Sequence, residues 1–124
     1  MPPVSESAVD PEEFWRYLDE LVAGLRIVID RPKGSSHPRY PDTVYPLAYG
    51  YLEGTLTPDG GGIDVWIGSK PDRSIEALIC TVDLVKKDLE AKLLLGCTPA
   101  ESRQVLDFTN SAGMRAVLIE RNKL

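Results

Sequence analysis

The stretch Tyr45-Pro46-Leu47-Ala48-Tyr49-Gly50-Tyr51-Leu52-Glu53-Gly54-Thr55-Leu56-Thr57-Pro58-Asp59-Gly60-Gly61-Gly62-Ile63-Asp64-Val65-Trp66 decides how the rest of the chain is read. It describes an aromatic strand, a glycine-rich turn and a second strand. Two carboxylates, Asp59 and Asp64, flank the turn. Glycine tolerates positive φ and lets a ligand approach the backbone closely. Carboxylates beside such a turn make a seat for a hard cation such as magnesium. Asp-Gly is also a common hairpin signal, so the same residues describe an ordinary turn equally well.

Working outward, Ile63, Val65 and Ile67 share one strand face, and Asp64 and Trp66 share the other. An acid beside a large aromatic suits either a pocket wall or an exposed sheet face. Upstream, Leu25 to Arg31 alternates, with Leu25, Ile27 and Ile29 on one side and Arg26, Val28 and Asp30 on the other. The basic loop Pro32 to Arg39 follows, holding Lys33, His37 and Arg39. His37 is the only histidine, and with no cysteine cluster beside it, it builds no zinc site.

Further upstream, residues 1–9 read as loose, and Asp10-Pro11-Glu12-Glu13 reads as a helix start with a capping acid and proline in the first turn. Phe14, Trp15, Leu18, Leu21 and Val22 supply the apolar face, and Gly24 the stop. Downstream, Ser74 to Gly96 reads as a hairpin. Centring its turn between Asp88 and Leu89 sets Cys80 opposite Cys97, Val82 opposite Leu95, Leu84 opposite Leu93, and Lys86 opposite Ala91. That register collects apolar residues on one face and puts Asp83, Glu90 and Lys92 on the other; a one-residue slip would reverse every side chain on one strand. Cys80 and Cys97 are then neighbours, expected reduced, although a disulfide is open to them. Thr98-Pro99-Ala100-Glu101 is a second capping box. Its helix runs to about Thr109 through Val105, Leu106 and Phe108. Asn110 to Gly113 forms a turn, and Met114 to Glu120 a last strand.

The chain of 124 residues fits one domain without repeats or a linker, and is long enough to bury a core. Its 14 basic and 19 acidic residues give a net charge of −5. Such a balance disfavours binding to nucleic-acid backbones or anionic membranes. It leaves open a small phosphorylated ligand that arrives with its own cations. No apolar run or charged-then-apolar leader marks a membrane span or signal peptide, and two cysteines without a leader imply a reducing, cytoplasmic setting.

The order of elements and several residues resemble the soluble, magnesium-dependent inorganic pyrophosphatases. The best match is Tyr45-Pro46-x-x-Tyr49-Gly50-Tyr51-Leu52-x-x-Thr55-Leu56-x-x-Asp59-Gly60-x-x-Ile63-Asp64-Val65, which follows that family's Tyr-Pro-x-x-Tyr-Gly-Tyr-Ile-x-x-Thr-Leu-x-x-Asp-Gly-Asp-Pro-x-Asp-Val pattern. Ile29-Asp30-Arg31-Pro32 resembles the family's Ile-Glu-Ile-Pro strand end. Arg39 falls where the family has a phosphate-binding lysine. The Asp88–Lys92 stretch resembles a shortened form of its acidic hairpin. The resemblance covers roughly residues 25 to 121 and identifies the chain as a short, divergent member.

The resemblance implies an α+β fold: a five-stranded OB-like barrel, an N-terminal helix, and a C-terminal helix followed by a final strand. It implies magnesium-dependent hydrolysis of a phosphoanhydride, most simply pyrophosphate, by metal-activated water. By position, Asp59, Asp64 and Glu90 would be metal ligands, with Asp88 and Asp30 as further acids. Lys92, Arg39 and Tyr49 would contact phosphate, and Lys33 of the basic loop is counted with them. Asp59, Asp64, Lys92 and Tyr49 would serve catalysis. An assembly of identical chains is compatible with all of this.

The departures are specific. Gly61 replaces the aspartate that orients or deprotonates the attacking water, and Gly62 replaces the proline. The link from Arg39 to Tyr45 is short and lacks the family's usual arginine. The C-terminal helix lacks a Tyr-Lys pair. Asp83 is a candidate substitute base, on the same face as Lys92. A catalytically weakened or inactive protein that binds phosphate or a nucleotide is the alternative expectation.

Overall fold

The computed structural model describes residues 10–110 and 113–121. The expected loose segment 1–9 and part of the expected turn at 110–113 lie outside these residues. Among these residues, two helices and six strands follow in chain order: α1 (Pro11–Val22), β1 (Ile27–Arg31), β2 (Ala48–Leu52), β3 (Ile63–Ile67), β4 (Ile75–Asp83), β5 (Asp88–Leu95), α2 (Pro99–Thr109) and β6 (Met114–Glu120).

The strands form one sheet in the order β1-β2-β3-β5-β4-β6. The fold is therefore α+β, as expected, but the sheet is an open one of six strands where a five-stranded barrel was expected. The last strand is the reason: β6 pairs along its whole length with β4 and becomes an edge of the same sheet, and among the described residues β1 and β6 do not pair with each other.

Each face of the sheet carries one of the two described helices. On one face, Trp15 of α1 packs with Leu52, Val65, Ile67, Leu78, Leu93 and Leu95. The buried stripe of α1 is Trp15, with Leu18 and Val22 packed beside it, whereas Phe14 and Leu21 stay exposed on its shoulder. Asp10 caps the helix by accepting from the Glu12 N–H at 3.0 Å. On the other face, Val105 of α2 packs with Leu47, Trp66, Ile79 and Leu94, joined by Tyr45, Tyr49 and Phe108. The predicted capping box of α2 forms: Glu101 N donates to Thr98 Oγ1, and Thr98 N donates to the Glu101 carboxylate. That carboxylate also accepts from Ser69 N, pinning α2 to the end of β3.

The β4–β5 hairpin keeps its predicted faces but not its predicted register. Cys80 lies opposite Ala91, six places from Cys97, and Asp83 lies opposite Asp88. The turn is Leu84–Lys87, closed by Lys87 at φ 59° and by Asp83, whose carboxylate accepts from Val85 N at 2.9 Å and Lys86 N at 3.0 Å. Six is an even number, so the regularly paired residues from Ala77 to Asp83 and from Asp88 to Leu94 stay on their expected faces. Cys80 and Cys97 are not neighbours; both are free thiols.

Two features prepare the site. Strand β5 inserts between β3 and β4 and runs parallel to β3, with Val65 opposite Leu93 and Trp66 opposite Leu94. Gly50 lies under a bulge of β1, where a Cβ would fall 1.9 Å from the Val28 carbonyl oxygen. At the far edge, the Asn110 side chain accepts from Ala116 N at 2.9 Å and reaches the Ala116 carbonyl at 3.4 Å.

Candidate functional site

The parallel register puts Asp64 and Lys92 on the α2 side of the sheet, one step before the Val65–Leu93 pair. Strand alternation adds Glu90 from β5, and cross-strand pairing adds Tyr49 opposite Trp66 and Tyr51 opposite Asp64. The side chains of Tyr49, Asp64, Glu90 and Lys92 meet. Lys92 Nζ lies 2.6 Å from the Tyr49 hydroxyl, 3.3 Å from Asp64 Oδ2 and 3.4 Å from Glu90 Oε2. Lys92 is largely buried, its side chain 16% exposed, and its ammonium stands 5.0 Å from the Tyr49 ring centroid.

The chemistry of this cluster is set by burial and charge. Burial pushes the Tyr49 phenol well above its ordinary value, and the carboxylates of Asp64 and Glu90 push it further. Tyr49 is therefore a neutral donor and acceptor at neutral pH. Beneath it lies an aromatic floor that the sequence reading treated only through Trp66. Tyr49 contacts Trp66 at 4.7 Å between ring centroids, and Phe108 meets Trp66 at 5.6 Å and Tyr45 at 5.3 Å. Strand parity already placed Trp66 beside Asp64; the signal for Phe108 was its place three residues after Val105 on α2. The Trp66 indole N–H is buried and has no acceptor among the described residues.

All five acids expected near a metal, Asp30, Asp59, Asp64, Asp88 and Glu90, line one cleft of about 900 Å³. They do not converge together: among the described residues no three His, Cys, Asp or Glu side chains form a metal-sized group. Asp64 and Glu90 do converge, on the point that Lys92 Nζ holds. Asp59 faces its own loop. Its Oδ1 is hydrogen-bonded to the Thr57 hydroxyl and accepts from Gly61 N at 3.1 Å. The Thr57 bond, then the Gly61 bond, hold its carboxyl below the usual range. The Thr57-x-Asp59 spacing was the signal for this partner.

The other candidates stand apart. The Asp83 carboxylate closes the hairpin turn. Lys33 and Arg39 are exposed in the loop before β2, and among the described residues no hydrogen bond or ion pair joins either side chain to Lys92. The Arg39 N–H donates to His37 Nδ1 at 3.0 Å, and the His37 ring stacks on Tyr45 at 6.4 Å, which ties the loop to the aromatic floor.

Gly61 is the position where the resembled family carries its middle aspartate. A Cβ there would meet Asp59 Oδ1 at 3.5 Å and Thr57 Oγ1 at 3.8 Å, ordinary contacts. A Cβ therefore fits at this position without displacing its neighbours.

No protein-family model matches the sequence, and no curated protein matches it. Solved structures do match its fold. An inorganic pyrophosphatase from Neisseria gonorrhoeae aligns with a TM-score of 0.57 at 15% identity, over 78% of this chain and 83% of that one. One from Coxiella burnetii aligns at 0.54 and 13% identity, over 76% and 82%. One from Helicobacter pylori aligns at 0.52 and 14% identity, over 76% and 81%. The chain has a pyrophosphatase-like fold. No described helix is long and apolar enough to cross a membrane.

Proposed function

We propose that this protein hydrolyses a small phosphoanhydride, inorganic pyrophosphate in the first instance, with magnesium as the cation. The observation that carries the reading is the meeting of Asp64 Oδ2 and Glu90 Oε2 at one cation position beside Tyr49, in a fold similar to inorganic pyrophosphatases. The donors are all hard carboxylate oxygens. Magnesium is commonly held by one or two carboxylates, completed by water and substrate phosphates. Asp64 and Glu90 fit that demand and would hold the ion, with Asp59, Asp88 and Asp30 lending negative charge in the same cleft. When bound, the ion would supply Lewis-acid chemistry, neutralising phosphate charge and acidifying water.

This chain's own residues bind and orient. Lys92 would donate to a phosphate oxygen, and Tyr49, kept protonated by burial, would donate a second hydrogen bond. Lys33 and Arg39 would add positive charge from the neighbouring loop. We assign Asp83 to the hairpin turn, because its carboxylate is engaged there by two backbone N–H groups.

A second reading, binding without appreciable turnover, is favoured by one observation: Asp59 is turned into its loop, with Gly61 beside it where a water-orienting carboxylate is absent. Phosphate release from pyrophosphate, with and without magnesium, separates the two. The first reading expects magnesium-dependent release that Asp64→Asn abolishes; equal release by both proteins rejects it. The second expects no release, but calorimetric binding of imidodiphosphate with magnesium that Asp64→Asn removes.

A further inference from the structure

An ammonium group has three N–H donors. In Lys92 two of them are hydrogen-bonded, to the Tyr49 hydroxyl at 2.6 Å and to Asp64 Oδ2 at 3.3 Å, and Glu90 Oε2 is ion-paired with the ammonium at 3.4 Å. The ammonium's charge is thus already engaged by both carboxylates and the phenol before any phosphate oxygen approaches. The same two carboxylates are the ones that would bind the divalent ion. Two cations cannot occupy that point together, because like charges a few ångströms apart in a half-buried site repel strongly.

We propose that Lys92 is a built-in competitor for the divalent cation at Asp64 and Glu90. Without the ion, its ammonium bridges the two carboxylates and keeps them from repelling each other. When the ion takes those carboxylates, Lys92 loses both carboxylate partners and keeps the phenol, because Tyr49 holds it by the hydroxyl and the ring face. Its remaining N–H donors are then free beside the site, and the substrate phosphate is their new acceptor. Cation binding thereby precedes phosphate binding. The inference rests on the metal reading of Asp64 and Glu90 given above.

The test is calorimetric titration with magnesium chloride alone, no phosphate present, on the wild-type protein, Lys92→Met and Lys92→Gln, with thermal melts to check that each variant is folded. Both variants are expected to bind magnesium about tenfold more tightly than wild type, a coupling of ordinary size. Near-ultraviolet circular dichroism adds a second readout: magnesium should change the tyrosine signal of the wild type, where the Lys92–Tyr49 contact alters, and not that of Lys92→Met. Equal or weaker affinity in folded variants overturns the proposal while leaving the metal reading intact. Absence of magnesium binding by wild type and variants alike overturns both.

Discussion

Lys92 Nζ and the Tyr49 hydroxyl lie 2.6 Å apart although the residues are 43 positions apart in sequence and sit on strands that do not pair. The contact crosses over β3, which separates β2 from β5. It exists because the parallel insertion of β5 brings Lys92 into the row occupied by Asp64, and because Gly50 lets β2 pass close beneath β1. Tyr49→Phe keeps the ring against Trp66 and removes the oxygen. It is expected to cost about 1 kcal/mol of stability, the usual scale for one lost hydrogen bond, and to weaken imidodiphosphate binding in the presence of magnesium. Chemical denaturation and calorimetry measure the two effects.

Gly61→Asp adds a carboxylate at a position whose backbone accepts a Cβ with ordinary contacts. The variant is expected to fold with a melting temperature close to wild type, because its Cβ meets nothing nearer than 3.5 Å. Under the hydrolase reading, a water-orienting group is worth about 10²–10⁴ in rate, so magnesium-dependent phosphate release should rise by about a hundredfold or more. An unchanged rate in a well-folded variant would mean that the missing base is not what limits turnover.

Asp19 and Arg121 clamp α1 to the end of β6 with two bonds of 2.8 and 2.7 Å, and Arg121 also lies over the Trp15 ring. The Arg121 hydrogen bond, above all, lowers the Asp19 carboxyl below its ordinary value. A lowered folded-state value means that this stabilisation is present above the unfolded carboxylate pKa, about 3.9, and is lost as pH falls through the folded value. Asp19→Asn should therefore lower the melting temperature by a few degrees at pH 7, consistent with up to about 1 kcal/mol for a partly exposed pair. The gap between variant and wild type should close as the pH falls through that lowered value.

Cys97 is buried, and burial pushes its thiol up to about 12. The thiolate is the reactive form. Titration of the native protein with a thiol reagent near pH 8 should modify Cys80 first and leave Cys97 untouched until denaturant is added. Rapid labelling of Cys97 in the folded protein would contradict the packing around it.

The local rules carried the sequence reading far. Alternation placed Glu90 and Lys92 on one face of the hairpin and Asp64 beside Trp66 on its own strand, and the hairpin faces survived a six-place error in register because an even shift preserves them. Caps and proline placed both helices to within a residue or two. What failed was what local rules do not encode. The Leu84–Lys87 turn has no glycine or proline to announce it, and depends on Lys87 adopting a left-handed φ and on the Asp83 carboxylate beside it. The parallel pairing of β3 with β5, and the joining of β6 to β4, are long-range choices set by how two helices cover two faces. The inward turn of Asp59 depends on a Thr57 hydroxyl whose role shows only once the loop is closed.

The Asn110 amide on the outer side of β6 has a consequence for solubility. An open sheet offers its last strand as a template on which another chain can add, especially where apolar side chains such as Val117 and Ile119 are exposed. By engaging both the N–H and the carbonyl of Ala116, Asn110 imitates one residue of a neighbouring strand and then stops. The edge is thus blocked at Ala116 by a single side chain, which a strand from another molecule would have to displace before it could pair along the whole of β6.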